Sequence, residues 1–212
     1  MGLRGRSVLI IVQNLPVPFD RRVWLEAKTL REDGYHVSII SIKGKNEKFS
    51  KSYEEINGIN IYRYKAPPEA QGAMGYIFEF IYCWIASAFL SVKVLVQQGF
   101  DIIHACNPPD TYFLLGFIYK KILGKKFIFD HHDLSPEMYI AKGGENKSLL
   151  CKGLLTLEKL TFNTADVVIT TNQSHKEIAI NRGGIDCQKI FIVRSGPDFE
   201  RLKVLAAEPS LK

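Results

Sequence analysis

The side chains best suited to chemistry are concentrated in one stretch, Asp130-His131-His132-Asp133, which follows a short apolar run. Histidine titrates near neutral pH, so His132 can act as a general base or donate a hydrogen bond to a sugar or a phosphate. On an extended strand end, Asp130 and His132 share one side, while His131 and Asp133 share the other. Two interpretations stay open: one histidine is functional and the other structural, or both are functional.

A second candidate group follows the first apolar run of the chain and contains Asn14, Arg21 and Arg22. Adjacent arginines at the beginning of a helix add positive charge to a helix end that already favours anions, which suits a phosphate. The alternative is that these arginines are solvated or paired with a nearby carboxylate such as Glu26. Three more polar residues follow later apolar runs: Asn107, Asp110 and Glu137.

The sequence lacks the common motifs for metal or dinucleotide binding. His104 and the two central histidines are candidate ligands, but they show no HExxH or comparable spacing, so no metal site is expected. The first loop has no glycine between Gly5 and Gly34, and GxGxxG is absent, which disfavours a dinucleotide-dependent oxidoreductase. The GxxxxGK[ST] phosphate loop is absent as well.

The elements that would position these residues alternate between strands and helices. Strands are predicted at residues 7–12, 36–42, 58–64, 102–105, 126–129, 166–170 and 190–193. Helices are predicted at residues 20–33, 76–98, 110–123, 149–163 and 173–182, the first capped by Asp20 and ended by Gly34. This pattern predicts an α/β, doubly wound, Rossmann-like, mostly parallel sheet of about seven strands with helices on both faces. Ligands of such sheets bind beyond the carboxyl ends of the strands, which is where the candidate side chains lie.

Composition and charge narrow the class of protein. The chain has 212 residues, of which 46% are hydrophobic and 24% charged, and this excludes a disordered, collagen-like or coiled-coil chain. Four widely separated cysteines exclude a disulfide framework and fit a reducing compartment. The net charge of +6 suits phosphates, nucleic acid or an anionic membrane without choosing among them. The first apolar run is too short for a secretory signal, so a cytoplasmic location is expected.

Residues 80–92 form an apolar, uncharged run between Glu79 and Lys93. The run is shorter than the ~20 residues needed to cross a bilayer. It predicts either a core helix or a helix whose aromatic side chains lie in a membrane interface, and both interpretations stay open. The second would place the protein at the inner face of the membrane as a peripheral protein.

Five segments, taken in order and spacing, resemble the N-terminal domain of a family 4 retaining glycosyltransferase with the two-domain GT-B architecture, of the bacterial polysaccharide or O-antigen type. They are PVPFDRRVWLEAKTLREDGYHVSIIS, DIIHACNPPD, KKFIFDHHDLSPE, TADVVITTNQSHKEIA and IVRSGPDFERL. The resemblance implies an acceptor-binding domain at residues 1–198 and an interdomain linker or tail at 199–212. It further implies that the donor-binding C-terminal domain is missing or lies on another chain.

The resemblance also implies roles for individual residues. His132 matches the histidine of the HDL triplet and is the expected catalytic residue, reaching toward the transferred sugar. The expected substrate-binding residues are Asn14, Arg21, Arg22, Asn107, Asp110, Asp133 and Glu137. The glycine-rich first loop that is usual in the family is replaced here by Pro16-Val17-Pro18.

The expected function is therefore the acceptor-binding half of a sugar-nucleotide-dependent glycosyltransferase, with little or no activity alone. Its expected partners are a nucleotide-sugar and a glycan or lipid-linked acceptor, with no metal cofactor and no nucleic acid. One alternative is a non-catalytic module that binds a glycan, a lipid or a partner subunit. A small nucleotide-dependent oxidoreductase is a less favoured alternative.

Overall fold

The computed structural model of the chain describes residues 6–44, 49–68 and 72–196. They form an eight-stranded sheet in the order β3-β4-β2-β1-β5-β6-β7-β8, in which only β3 is antiparallel to its neighbour. The strands are β1 (Ser7–Ile11), β2 (His36–Ile42), β3 (Tyr53–Ile56), β4 (Ile59–Tyr64), β5 (Ile102–Cys106), β6 (Lys126–His131), β7 (Val167–Thr170) and β8 (Ile190–Ile192). The predicted α/β, mostly parallel fold is confirmed. The boundary expected at residues 198–199 lies outside the described residues.

In the described residues, six α-helices accompany the sheet: α1 (Arg21–Glu32), α2 (Gly72–Gln97), α3 (Phe113–Leu123), α4 (Ser135–Ala141), α5 (Leu149–Thr164) and α6 (Gln173–Asn181). Helix α1 covers one face of the sheet, where Val23 and Ala27 join an apolar cluster formed by β1, β2 and β4. Helices α2, α3, α5 and α6 cover the opposite face through a larger cluster that includes Cys83, Phe162 and Ala179. The expectation of helices on both faces is confirmed.

The sequence patterns missed two elements. Strand β3 pairs with β4 across the Asn57-Gly58 turn, in which both residues have positive φ (53° and 73°), as a two-residue hairpin requires. The β3 side chains alternate between exposed and half-buried, so this edge strand lacks the apolar run that marks the others. Helix α4 has only seven residues, begins Ser135-Pro136 and lies where the sequence predicts no element, between the strand at 126–129 and the helix at 149–163.

The predicted helix ends agree with the structure to within about four residues. The Asp20 side chain accepts a hydrogen bond from Val23 N and caps α1, as predicted. Gly34 follows the helix with a φ of 91°, a left-handed conformation that glycine adopts at little cost, and this confirms the predicted stop. Helix α2 contains one segment, Met74–Gln97, that is long and apolar enough to cross a membrane.

Candidate functional site

The candidate site lies at the carboxyl edge of the sheet, where the strand order reverses between β1 and β5. The loop after β1 is fixed there by a buried arginine on β4. Arg63 donates from Nε to the carbonyl oxygen of Val17 at 3.1 Å, and the Val17 amide lies 3.4 Å from Ser41 Oγ on β2. Because Val17 is held and Asp20 caps α1, the first turn of the helix has a fixed position. That turn carries Arg22 toward the ends of β5 and β6.

Arg22 binds the Asp130 carboxylate with two parallel hydrogen bonds. Its Nε donates to Oδ2 at 2.9 Å and its Nη2 donates to Oδ1 at 2.7 Å. Nη1 donates to the Val193 carbonyl and to Ser195 Oγ after β8, and Nη2 also lies 3.1 Å from a carboxylate oxygen of Glu26. Burial disfavours the charged guanidinium, but these carboxylates outweigh it and raise the pKa of Arg22. Its donors are therefore occupied by protein atoms.

Asp130 is the centre of the site, and its side chain is fully buried. Besides Arg22, its carboxylate faces His132 Nδ1 at 3.5 Å and His104 Nε2 at 3.8 Å. Burial disfavours ionisation of this carboxyl. The nearby His104 and His132 rings and the hydrogen bonds from Arg22 outweigh that effect and hold its pKa well below the usual range. Asp130 is thus a fixed negative charge around which three basic side chains are arranged.

His132 lies between two carboxylates at the outer rim of this cluster. Nδ1 faces Asp130, while Nε2 lies 4.0 Å from Asp133 Oδ2, and the side chain remains 18% exposed. Burial disfavours the imidazolium, but the nearby carboxylate of Asp130 outweighs that effect and raises the pKa of His132. A carboxylate behind one ring nitrogen fixes the orientation of the ring and favours a proton on it. The arrangement suits hydrogen-bond donation or proton transfer at the sheet edge.

Asn107 fastens the loop after β5 to the loop after β6. Its Oδ1 accepts hydrogen bonds from the backbone amides of His132 and Asp133, both at 3.0 Å. Its Nδ2 donates to the Asp133 carbonyl at 2.6 Å and to Asp110 Oδ1 at 3.1 Å. Asn107 and Asp110 are both buried, and burial raises the pKa of the Asp110 carboxyl. In this geometry the two residues set the backbone on which His132 is carried.

A separate cluster surrounds His131, which points to the opposite face from His132. His131 Nε2 lies 3.2 Å from Glu158 Oε1 on α5, and both side chains are buried. Arg182 Nη2 donates to the same carboxylate at 2.7 Å and Arg182 also binds Glu137. Burial disfavours the Glu158 anion, but hydrogen bonds with His131 and Arg182 outweigh it and lower its pKa. Glu137 thus belongs to this cluster on α4, α5 and α6.

The structure therefore brings some predicted residues together and leaves others apart. Asp130 joins Arg22 to His132. The side chain of Asn107 joins Asp110 to the backbone of His132 and Asp133. Two others from the first loop, Asn14 and Arg21, are exposed, and Arg21 begins α1. Direct contact of any of these residues with a substrate stays a prediction.

Sequence reasoning missed Cys106 as a member of the site, and it named Glu26 only as an alternative partner of the arginines and His104 only as a candidate metal ligand. The usable signals were the four-residue spacing of Arg22 and Glu26 on a helix and the two-residue spacing of His104 and Cys106 on a strand. Burial raises the pKa of Glu26. The pKa of His104 is also raised, because the nearby carboxylates of Asp130 and Glu26 outweigh burial.

Three of these groups are close enough to share a metal ion. The candidate ligand atoms of His104, Cys106 and Asp130 all lie within 4.8 Å of one another, and all three residues are buried. Imidazole, thiolate and carboxylate are ligands suited to zinc. A cation there would compete with the guanidinium of Arg22, which already binds both oxygens of Asp130.

Residues 20–201 match the family model described as Glycosyltransferase Family 4. A search of curated proteins finds no match. Among solved structures, sucrose-phosphate synthase from Thermosynechococcus elongatus is similar over 92% of this chain and 49% of its own, with 17% identity and a TM-score of 0.65. A shorter chain of the same enzyme is similar over 92% of both chains, with 17% identity and a TM-score of 0.57.

The catalytic domain of starch synthase IV from Arabidopsis thaliana, bound to ADP and acarbose, is similar over 92% of this chain and 52% of its own, with 14% identity and a TM-score of 0.58. At such identities the likeness shows the fold, which is that of GT-B glycosyltransferases. The chain spans about half the length of the full sucrose-phosphate synthase. Since the family model extends from the cap of α1 past the end of β8, the chain belongs to Glycosyltransferase Family 4 and is a glycosyltransferase domain.

Proposed function

We propose that this domain is the acceptor-binding half of a retaining glycosyltransferase that uses a sugar nucleotide, and that it has little or no activity alone. The observation that carries the proposal is the fixed chain of contacts Arg22–Asp130–His132 at the carboxyl edge of the sheet. A doubly wound sheet offers its ligand site at that edge. The nucleotide contacts would come from a separate donor-binding domain, on the same chain or on another.

In the proposed reaction, the bond between the sugar and the diphosphate breaks and the sugar is joined to an acceptor hydroxyl, whose proton is released. His132 donates a hydrogen bond from Nε2 to the transferred sugar while Asp130 holds the ring through Nδ1. Positive charge near the leaving diphosphate stabilises the transition state. The exposed Arg21, at the N-terminal end of α1, is better placed for that task than Arg22, whose donors are occupied.

The finer proposals concern the acceptor and the location of the enzyme. We assign a polysaccharide or lipid-linked acceptor of the bacterial O-antigen type, handled without a metal cofactor at the inner face of the cytoplasmic membrane. A lipid-linked acceptor is supported by the exposed aromatic side chains Tyr76 and Phe78, in the first turns of α2. This end of α2 adjoins the sheet edge, since Gln13 after β1 donates to Glu79.

The division between donor and acceptor halves is tested by calorimetric titration of this chain with UDP, GDP, ADP, their glucose conjugates and NAD. We expect no binding into the millimolar range, because the nucleotide contacts belong to the other half. Micromolar binding of one sugar nucleotide would overturn the division of labour. Micromolar binding of NAD would favour the oxidoreductase instead.

The acceptor role is tested by recording the imidazole NMR signals of the chain while adding a short oligosaccharide or a polyprenyl phosphate in bicelles. We expect the His132 signal to shift and the His36 signal to stay unchanged. His36 is the matched control because it is exposed at the beginning of β2, on the opposite edge of the sheet. An unchanged His132 signal with both probes would contradict acceptor binding at this edge.

A further inference from the structure

Helix α2 exposes an apolar stripe along most of its length. Its members recur every three or four residues, as one helix face requires, and each is more than half exposed: Phe78, Ile81, Ile85, Phe89, Val92 and Val96. The stripe spans 18 positions, or about 27 Å of helix at ~1.5 Å per residue. A helix of a soluble core would turn this face inward, so the stripe needs a partner.

The opposite face of α2 is already bound to the domain. Ser87 Oγ lies 3.1 Å from the hydroxyl of Tyr112, and Ser91 Oγ lies 2.9 Å from the hydroxyl of Tyr119 on α3. Cys83 on the same inner face is fully buried against the sheet. Helix α2 is therefore fixed along the surface of the domain and can lie against a bilayer without crossing it.

Helix α3 extends the apolar surface beside α2. Four of its side chains are between 43% and 73% exposed: Leu114, Phe117, Ile118 and Ile122. Together with the stripe on α2 they expose on the order of 1,000 Å², whereas the largest apolar patch of a typical monomer is about 300–600 Å². We name these ten side chains the α2–α3 face.

The charges around the α2–α3 face are mostly positive. Helices α2, α3 and α5 contain five lysines, of which Lys120 is paired with Asp166, against two glutamates, Glu79 and Glu158. Glu79 is bound to Gln13, and Glu158 is buried with Arg182. Lysines also adjoin exposed rings: Lys121 Nζ lies 5.9 Å from the centroid of Phe117, and Lys142 Nζ lies 5.3 Å from that of Tyr76.

We propose that the α2–α3 face docks this domain on an anionic lipid bilayer, with the apolar side chains in the interface and the lysines at the headgroups; this inference rests on the membrane location in the proposed function and assigns a surface to it. Exposed Phe and Ile beside lysines on a surface helix are suited to this location. A second copy of the chain is the weaker fit. A two-fold interface on this face would bring the lysines of both copies together, and like charges oppose association.

The experiment is sedimentation of the chain with two kinds of vesicle. One kind is phosphatidylcholine alone, and in the other about one third of the lipid is phosphatidylglycerol. We expect binding only to the anionic vesicles, and weaker binding at high salt because the charges are exposed. Phe89→Gln should weaken the partition coefficient at least about ten-fold, since it removes one apolar anchor. Lys121→Gln should weaken it about five-fold, which is the effect of one lysine near an anionic surface.

Two matched variants control for the chemistry of the substitution. Phe191→Gln changes an equally apolar, 53% exposed side chain on β8, and Lys28→Gln removes the same charge from α1 on the other face of the sheet. Both should bind as the unchanged chain does. Failure to bind anionic vesicles would overturn the proposal, and so would equal losses in Phe89→Gln and Phe191→Gln. A dimer in sedimentation velocity that Phe89→Gln dissociates, without vesicle binding, would assign the face to a second copy.

Discussion

Replacing Asp130 by asparagine isolates the role of the carboxylate at the centre of the site. Asp130→Asn keeps the shape of the side chain but removes the charge that Arg22 binds with two hydrogen bonds. The Asp130 side chain is fully buried and that of Arg22 is only 12% exposed, so the guanidinium would remain buried without its main counter-charge. Such a loss costs about 3–5 kcal/mol. We expect about 3 kcal/mol for Asp130→Asn, because the amide oxygen still accepts one hydrogen bond.

The same variant changes the pH dependence of stability. Folding raises the pKa of His132, so this contact stabilises the fold fully below about pH 6.5 and its contribution is lost as pH rises through the folded-state pKa. Folding lowers the pKa of Asp130, so its contribution is present above about pH 3.8 and is lost as pH falls toward the folded-state pKa. In Asp130→Asn the pKa of His132 should fall and both contributions should disappear.

The measurements are urea unfolding as a function of pH and NMR titration of the His132 ring. Asp133→Asn is the matched control, because the side chain of Asp133 is 36% exposed and lies 4.0 Å from the same ring. We expect it to cost less than about 1 kcal/mol. The double variant Arg22→Met/Asp130→Leu should be closer in stability to the unchanged chain than Asp130→Asn, since the guanidinium and its main counter-charge are removed together. Equal stability of Asp130→Asn and the unchanged chain, with an unmoved His132 pKa, would refute this account.

Three further substitutions test how the helices are held. Gly116→Ala should lower the free energy of unfolding by about 1–3 kcal/mol, because the new Cβ would lie 2.6 Å from the Phe127 ring. Gly153→Ala, in open space on α5, should raise that free energy by about 0.4–1 kcal/mol in the same urea assay; the opposite order would contradict the packing argument. Arg182→Met should cost about 3 kcal/mol at neutral pH, because buried Glu158 loses a partner. Loss of that pairing should also raise the pKa of Glu158, and an unchanged acid limb of the stability profile would count against this.

The fold was predictable because the strands of a sheet covered on both faces are rich in apolar residues. Strand β1 is apolar at every position after Ser7, and its observed bounds agree with the predicted ones to within one residue. Strand β3 was not predicted, because its sequence is Tyr-Glu-Glu-Ile at an exposed edge. The Asn57-Gly58 pair was nevertheless a usable hairpin signal. An apolar run indicates a buried strand, and an edge strand is only partly buried.

The location of the site was predictable, but the partners within it were not. Parallel strands bring the residues after them to one edge, so His132 and Asn107 were expected there. Arg21 and Arg22 are equivalent in sequence, and only the packing of α1 shows that Arg22 is the one that binds Asp130. The pairing of Glu137 with Arg182, 45 positions later, likewise depends on how α4 and α6 pack.

The contacts of Arg22 have a consequence for how the domain folds during synthesis. Apart from Glu26 on the same helix, its partners lie 108, 171 and 173 positions later in the chain. Helix α1 therefore leaves the ribosome long before most of the groups that will bind its arginine have been made. Contacts between such distant residues are also slow to form, because they close large loops. The edge that carries His132 should thus be among the last parts of the nascent domain to reach its folded structure. During folding it should stay accessible to chaperones for the longest time.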